Sequence, residues 1–249
     1  MAAHAATGAL TLRFIYPRTG AAGHARLMRA WSRKLLRILA VRTVVEGPLP
    51  TWDGPVMVVS NHISWLDIFV ISSVRATRFI AKREIREWPV VGWIVEKSGT
   101  LFLKREARRD LARMGEQVHE ALARHDCVGL FPEGTTTEGD RLLKFHGSLF
   151  EPAIRNAARI VPVALRYETP HGEPCRNASF AGEITFMQCL ARIVRERSIV
   201  ARIEFLEPVA AAGRDRRELA RMLHERIASR LEGWSTAPRT PRDPPGASR

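Results

Sequence analysis

Short apolar runs alternate along this chain with segments of helical periodicity, and that alternation limits the fold more than any other feature. The runs have the length and composition of buried strands, at 56–59, 78–81, 100–103, 127–131, 160–165 and 199–206. Helical segments lie between and after them, at 68–74, 109–124 and 214–231. This alternation predicts an α/β fold, with a mixed central sheet flanked by helices in a single domain. Pro162 predicts an edge or a bulge in its strand.

The chain is long enough for one sizeable domain with a small helical attachment, at 249 residues. Residues 1–24 lack periodicity, and we expect a loose N-terminus there. Residues 25–46 are predicted to form an amphipathic interfacial helix, and 47–234 the domain itself. Residues 235–249 are rich in proline, arginine and glycine, which predicts a disordered tail.

The strongly basic balance of the chain predicts an anionic partner. Its formal net charge is +13, which suits nucleic acid or the surface of an anionic membrane. The sequence contains no aromatic-basic RNA motif, helix-turn-helix pattern or zinc-finger spacing. We therefore expect the membrane surface as the partner and no nucleic acid.

The segment 25–39 supports this expectation because its basic and apolar residues separate on a helical wheel. One face carries Arg26, Arg29, Arg33 and Arg37, and the other carries Leu27, Trp31, Leu35, Ile38 and Leu39. Leu36 falls nearer the basic side. No acidic residue occurs between Arg26 and Arg42, as is typical of a helix lying in a membrane interface. The alternative is an amphipathic helix packed on the domain.

The cysteines and the hydropathy of the chain indicate where in the cell the protein is expected to work. The three cysteines, Cys127, Cys175 and Cys189, are odd in number and widely spaced, so they suggest neither a disulfide framework nor a Cys-x-x-Cys metal motif. No uncharged apolar run reaches the roughly 18 residues of a spanning helix. The first residues make a poor signal peptide. We expect a peripheral, monotopic protein on the cytoplasmic face of the inner (plasma) membrane.

The stretch 60–67, Ser-Asn-His-Ile-Ser-Trp-Leu-Asp, joins the first of these strands to a helical segment. Ser64 and Asp67 have the spacing of a capping box, which predicts Ser64 at the N-cap and Asp67 at the third helical position. Because helical side chains lean toward the N-terminus, Asp67 can reach back to His62. A histidine oriented by a carboxylate at a strand end is the arrangement of a general base. Taken alone, the spacing also fits a structural cap beside a polar loop histidine.

Three further stretches stand at or within predicted strands, whose ends are where α/β proteins place their sites. One strand runs into Lys104 and Arg105, whose charges suit a phosphate or a carboxylate. Another runs into the tight turn 132–136, Pro-Glu-Gly-Thr-Thr, where Gly134 allows the backbone to approach a ligand. The third is Val161–Pro162–Val163. Each of these is uninformative by itself.

The order and identity of the four stretches resemble the four-block signature of the glycerolipid acyltransferases, the family that contains the 1-acylglycerol-3-phosphate acyltransferases. The blocks are Asn-His-x-Ser-Trp-Leu-Asp, Gly-x-x-Phe-x-x-Arg, Phe-Pro-Glu-Gly-Thr and Val-Pro-Val. The resemblance covers residues 55–170. It implies that His62 deprotonates an acceptor hydroxyl for attack on an acyl thioester, and that Asp67 orients His62. The basic helix resembles the family's membrane-docking element.

The resemblance also implies substrate-binding roles outside the histidine–aspartate pair. The acceptor head group would be contacted by Lys82, Lys104, Arg105, Glu133, Gly134, Thr135 and Thr136. The acyl chain would be bound by Val161 and Pro162. The donor would be acyl-acyl-carrier protein or acyl-CoA, used as a co-substrate, and we expect no cofactor and no metal.

One position departs from the pattern of the phosphatidic-acid-forming members. These commonly read Glu-Gly-Thr-Arg in the third block, and the arginine position is Thr136 here. A hydroxyl cannot replace a charge-assisted phosphate contact. Either Lys82, Lys104 or Arg105 compensates, or the acceptor lacks a terminal phosphate. Members similar to lyso-ornithine lipid acyltransferases carry Glu-Gly-Thr-Thr, so both lyso-ornithine lipid and 1-acylglycerol-3-phosphate stay open as acceptors.

The sequence thus predicts a lysolipid O-acyltransferase of membrane lipid biosynthesis. A thioesterase or lipid hydrolase could use the same His62–Asp67 pair, although a Gly-x-Ser-x-Gly elbow is absent. A non-catalytic binder of anionic membranes or nucleic acid is the other alternative. For the tetrahedral oxyanion, backbone N–H groups at the helix start after His62 are the expected donors.

Overall fold

A computed structural model describes residues 7–8, 11–15, 18–82, 100–103 and 108–236. The helices are α1 (Ala21–Ile38), α2 (Leu66–Val74), α3 (Arg108–Ala123), α4 (Glu151–Arg155), α5 (Phe186–Arg195) and α6 (Arg216–Thr236). The strands are β1 (Val41–Glu46), β2 (Val56–Ser60), β3 (Arg78–Lys82), β4 (Leu101–Leu103), β5 (Cys127–Leu130), β6 (Arg159–Glu168), β7 (Ile199–Phe205) and β8 (Val209–Ala210). Short helical turns lie at Thr11–Ile15, Gly147–Phe150 and Arg176–Ala178.

The strands form one sheet in the order β1-β7-β6-β2-β5-β3-β4, with β8 pairing with β6 beside this path. The five strands from β6 to β4 are mutually parallel, so their carboxyl ends meet at one edge. β7 and β8 run antiparallel to β6, and β1 is parallel to β7. The predicted mixed α/β sheet is confirmed.

Pro162 corrects one expectation, because β6 has neighbours on both sides and is not an edge strand. On one side β6 pairs with β2 over its first five residues, Arg159 to Val163. On the other side β8 pairs with Arg159 and Ile160, and β7 pairs from Val163 onward. Pro162 stands at this change of partner, where the ladder is already interrupted, and its carbonyl accepts a hydrogen bond from the Leu206 N–H at 2.8 Å.

Helices cover both faces of the sheet, and each face has its own apolar core. On one face, α3 contributes Met114, Val118 and Leu122, and α6 contributes Leu219, Leu223 and Ile227. Helical periodicity also predicts Leu111 for this set, and its side chain lies outside the described residues. On the other face, α1, α2 and α5 pack against alternate residues of β2 and β6, such as Val58 and Val161. Alternation of side chains along each strand supplies both cores.

The N-terminal helix differs from the prediction in extent and in what its apolar face does. It runs from Ala21 to Ile38, and the residues after it form β1, so the predicted helix at 25–46 is too long. Leu35, Leu36 and Leu39 are buried in the core, although Leu36 was assigned to the basic side. Because most of its apolar face packs on the domain, α1 adopts the alternative arrangement, and docking of this helix on a membrane is not supported.

Both predicted terminal boundaries shift as well. The N-terminus was expected to be loose through residue 24, but it includes a helical turn at Thr11–Ile15 and the start of α1. α6 continues to Thr236, two residues into the predicted tail. The rest of that tail, 237–249, lies outside the described residues. In the described ranges no helix combines the length and apolarity needed to span a membrane.

Candidate active site

The site begins where β2 ends, at the edge where the parallel strands have their carboxyl ends. The side-chain amide of Asn61 pairs with the backbone of Leu165 in both directions, since Nδ2 donates to the carbonyl and Oδ1 accepts from the N–H, each at 2.9 Å. This extends the pairing of β2 with β6 past the last strand residue. The loop that carries His62 therefore leaves the sheet in a fixed direction.

His62 is oriented by Asp67, the second residue of α2. The distance from His62 Nδ1 to Asp67 Oδ2 is 2.8 Å. The Asp67 side chain is 0% exposed and that of His62 is 20% exposed. Because Oδ2 also accepts two backbone N–H groups, it acts as an acceptor toward the ring, so the proton sits on Nδ1. Nε2 is then left with its lone pair for a substrate, as a general base requires.

The capping box was predicted only half correctly. Asp67 Oδ2 does reach back, accepting from the N–H groups of Ile63 at 2.8 Å and Ser64 at 3.0 Å. However, α2 begins at Leu66, so Trp65 occupies the N-cap and Asp67 the second helical position. The buried Ser64 hydroxyl makes no hydrogen bond among the described residues. The aspartate alone organises the helix start.

This geometry excludes two of the backbone N–H groups after His62 as oxyanion donors. The N–H groups of Ile63 and Ser64 are the first after His62, and both are engaged by Asp67. The N–H of His62 itself donates to Glu133 Oε1. These three groups hold the loop that carries His62 and are not free for a substrate oxygen.

Tyr167 is a partner of Asp67 that the sequence analysis missed. Its hydroxyl donates to Asp67 Oδ1 at 2.7 Å, so both carboxylate oxygens are occupied. Burial, and then the negative charge of Asp67, raise the pKa of Tyr167 well above its ordinary value, which keeps the phenol a donor. The available signal was the period of two along β6, which places Tyr167 on the same face as Val163 and Leu165, toward α2.

We expect Tyr167→Phe to destabilise the protein and to slow acyl transfer. The substitution keeps the ring but leaves Oδ1 of a fully buried carboxylate without its donor, at a cost of about 1.5–3 kcal/mol. Asp67 then holds the imidazole less firmly, so kcat falls as well. Chemical unfolding and initial rates check this. Unchanged stability and rate would show that the hydroxyl contact is unimportant.

A stack of rings supports His62 from one face. The imidazole lies 3.9 Å from the ring of Phe131 at an interplanar angle of 8°, and Phe131 in turn stacks on Phe79 at 5.3 Å. Gly129 makes room for this stack, because a Cβ at that position would lie 2.4 Å from the Phe79 ring. The stack fixes the plane of the imidazole while Asp67 fixes its rotation.

Glu133 holds the loop that carries His62 through hydrogen bonds to its side-chain carboxylate. Its carboxylate is buried and accepts from the N–H of His62 and from that of Leu143, each at 2.8 Å. Burial raises the pKa of Glu133, and the two N–H donors oppose that rise. The turn after it needs Gly134, which has a φ of +74°. A direct contact of Glu133 or Gly134 with a head group stays a prediction.

The two threonines of the third block are placed differently. Thr135 is exposed, whereas Thr136 is half-buried and its hydroxyl donates to the carbonyl of Phe180. The next residue, Thr137, donates its N–H to the His62 carbonyl at 2.9 Å, and the N–H of Phe180 donates to the Ile63 carbonyl at 2.9 Å. The threonine segment and the segment around Phe180 thus flank the histidine loop on either side.

Three of the remaining predicted residues, Lys82, Val161 and Pro162, lie in strands of the sheet. Lys82 ends β3, at the same edge as His62, and Lys104 and Arg105 lie outside the described residues. Val161 and Pro162 are buried within β6. Because neither side chain is exposed to a substrate, their role in acyl-chain binding stays a prediction.

Known proteins resemble this chain over most of its length. A family model described as Acyltransferase matches residues 41–166. A lyso-ornithine lipid O-acyltransferase of Pseudomonas aeruginosa is 36% identical over 220 residues, which cover 87% of this chain and 83% of that protein. A 1-acyl-sn-glycerol-3-phosphate acyltransferase of Neisseria meningitidis serogroup B is 38% identical over 196 residues, covering 78% and 76%.

The fold also matches a crystal structure, that of the 1-acyl-sn-glycerophosphate acyltransferase from Thermotoga maritima. The TM-score is 0.67 at 22% identity, over 93% of this chain and 88% of that one. Fold, site and relatives together define an enzyme that transfers acyl groups. The chain belongs to the acyltransferase family, and its predicted resemblance to the glycerolipid acyltransferases is confirmed.

Proposed function

We propose that this enzyme moves a fatty-acyl group from acyl-acyl-carrier protein or acyl-CoA to the free hydroxyl of a lysolipid in membrane lipid biosynthesis. The observation that carries the proposal is the 2.8 Å contact between His62 Nδ1 and the fully buried Asp67 carboxylate, which leaves Nε2 as a base. The relatives named above act on lysolipids, and no cofactor enters the scheme.

The reaction then follows from the needs of the substrates. A lipid hydroxyl is a poor nucleophile near neutral pH, so Nε2 of His62 takes its proton as the oxygen attacks the thioester carbonyl. Asp67 stabilises the imidazolium that forms. When the tetrahedral intermediate collapses, the C–S bond breaks and the thiolate leaves, taking the proton back from the imidazolium. The ester product and free thiol balance the two substrates.

For the acceptor we propose lyso-ornithine lipid ahead of 1-acylglycerol-3-phosphate. The relatives include proteins named for each of these lipids. The support comes from Thr136, which stands where an arginine would hold a phosphate and whose hydroxyl is already engaged by Phe180. Purified enzyme, one labelled acyl donor and a panel of lysolipids test this order. A strong preference for 1-acylglycerol-3-phosphate would contradict the proposed order of the two acceptors.

Thr136→Arg should shift the preference toward 1-acylglycerol-3-phosphate. A guanidinium adds a charge-assisted contact worth about 1.5–3 kcal/mol, which raises the ratio of kcat/KM values for the two acceptors about tenfold or more. Thr136→Met is the matched control, since it removes the hydrogen bond to Phe180 without adding charge. If the arginine and methionine variants show the same ratio of kcat/KM values for the two acceptors, position 136 does not select the head group.

We also propose that the enzyme works as a peripheral, monotopic protein on the anionic, cytoplasmic face of the inner membrane. The net charge of +13 supports this, because anionic lipids attract basic surfaces. The chemistry supports it too, since a lysolipid acceptor and its product both reside in a bilayer.

A further inference from the structure

α5 is a helix that the sequence analysis did not predict, and it lies beside the histidine loop. It begins after Thr185, whose hydroxyl accepts from the N–H of Gln188 in a capping box. The ring of Phe186 lies 5.2 Å from that of Trp65, three residues after His62. The N–H of Phe180, just before α5, bonds to the carbonyl of Ile63. α5 and the segment before it therefore pack directly against the loop that carries His62.

The apolar side of α5 is wider than the part that the domain covers. Cys189 and Ile193 point inward and are buried, within a sector of about 40° on a helical wheel. Met187, Ala191 and Val194 share a second sector of about 60°, which lies beyond the half-buried Phe186 and Leu190 on the same apolar side, and all three are exposed. Met187 is 67% exposed and Val194 58%, the highest values for large hydrophobic side chains in the described part of the chain.

Arginines flank one side of this exposed apolar sector and the end of the helix. Arg192, Arg195 and Arg197 are exposed, and no carboxylate among the described residues lies within ion-pair distance of them. Residues 176–197 contain four arginines and two glutamates. One of the two, Glu196, already accepts a hydrogen bond from Asn177. Exposed apolar residues beside unpaired arginines are the composition of a helix that lies in an anionic membrane interface.

α1 differs from α5 in how much of its apolar face the domain covers. α1 was predicted to be the interfacial helix, but the domain itself covers its Leu35, Leu36 and Leu39. α5 keeps its surplus apolar surface uncovered at the opening through which a lipid must reach His62. We propose that the exposed face of α5, formed by Met187, Ala191, Val194 and Arg195, contacts the anionic bilayer and sets the active-site opening against it. This rests on the proposed function, which places the acceptor in a membrane.

A single labelled cysteine tests the contact directly. The three native cysteines are buried, so Met187→Cys provides an accessible thiol for an environment-sensitive fluorophore. Ser229→Cys is the matched control, because Ser229 is exposed on α6, which covers the opposite face of the sheet. On phosphatidylglycerol-containing vesicles we expect blue-shifted, stronger emission from the label at 187 and an unchanged spectrum at 229. A label at 187 that stays aqueous on bound protein, or protein that does not bind these vesicles, overturns the proposal.

Negative charge placed on the exposed face of α5 gives a second test, in which vesicle binding is measured. Met187→Glu combined with Val194→Glu should weaken sedimentation with these vesicles about tenfold or more. Leu49→Glu combined with Ser229→Glu is the control, since it adds the same two charges at exposed positions away from α5. Transfer to a short-chain, monomeric lysolipid should stay within about twofold in all variants, because surface changes leave folding nearly intact. If the α5 double variant binds vesicles as well as the wild type does, the exposed face of α5 is not the membrane contact. If the wild type shows no acyl transfer, only the proposed function is overturned.

Discussion

His62→Ala should lower the rate of acyl transfer by about 10²–10⁴-fold while the protein stays folded. The variant loses the base on Nε2, and neither of the two carboxylates that contact the loop can replace it, since Asp67 is buried and Glu133 is occupied by two backbone N–H groups. The backbone of residue 62 keeps its bonds to Glu133 and Thr137, so the loop is retained. Initial rates with a labelled thioester measure the loss.

The control for this variant is His171→Ala, which removes an exposed histidine from the turn after β6. It should transfer at the wild-type rate. Thermal unfolding and vesicle sedimentation of both variants separate a lost base from a lost fold. Retained turnover in His62→Ala would refute the assignment of His62 as the base.

Asp67→Asn should lower kcat by about 10³-fold, within the range known for such pairs, yet leave the fold nearly intact. Three donors converge on the Oδ2 position, so the asparagine must place its carbonyl oxygen there. Its amide then faces the Tyr167 oxygen, which can accept a hydrogen bond. The ring keeps its tautomer, and the loss of rate measures the missing charge beside the imidazolium.

Asp67→Ala separates charge from structure at the same position. It leaves the N–H groups of Ile63 and Ser64 and the buried Tyr167 hydroxyl without an acceptor, each at a cost of about 1–3 kcal/mol. We therefore expect the alanine variant to be far less stable than the asparagine variant. Equal stability of the two would show that Asp67 does not organise the start of α2, and wild-type activity in Asp67→Asn would show that its charge is dispensable.

Local patterns were sufficient to predict the sheet and the contact between His62 and Asp67. The apolar runs that became β2, β5 and β6 are buried on both faces, so their composition alone separates them from the helices. The reach of Asp67 to His62 follows from the lean of helical side chains, which is also a local property. These features need no knowledge of which strands become neighbours.

What the sequence could not predict depends on distant neighbours. Tyr167 meets Asp67 only because β6 lies beside β2, a pairing across 100 residues. Whether the apolar face of α1 would meet the domain or a membrane could not be decided from that face itself. Ser64 failed as a cap because Asp67 already satisfies the N–H groups there. For α5, the Thr185–Gln188 capping box was a signal that could have been used.

The rival chemistry for this site is hydrolysis, in which the same base would activate water. Following thiol release, free fatty acid and acylated lipid from one labelled acyl thioester, with and without lysolipid, distinguishes the two. We expect thiol release to require lysolipid and to match the acylated lipid formed, mole for mole. Thiol and free fatty acid appearing at the same rate without any lysolipid would contradict acyl transfer and make the enzyme a thioesterase.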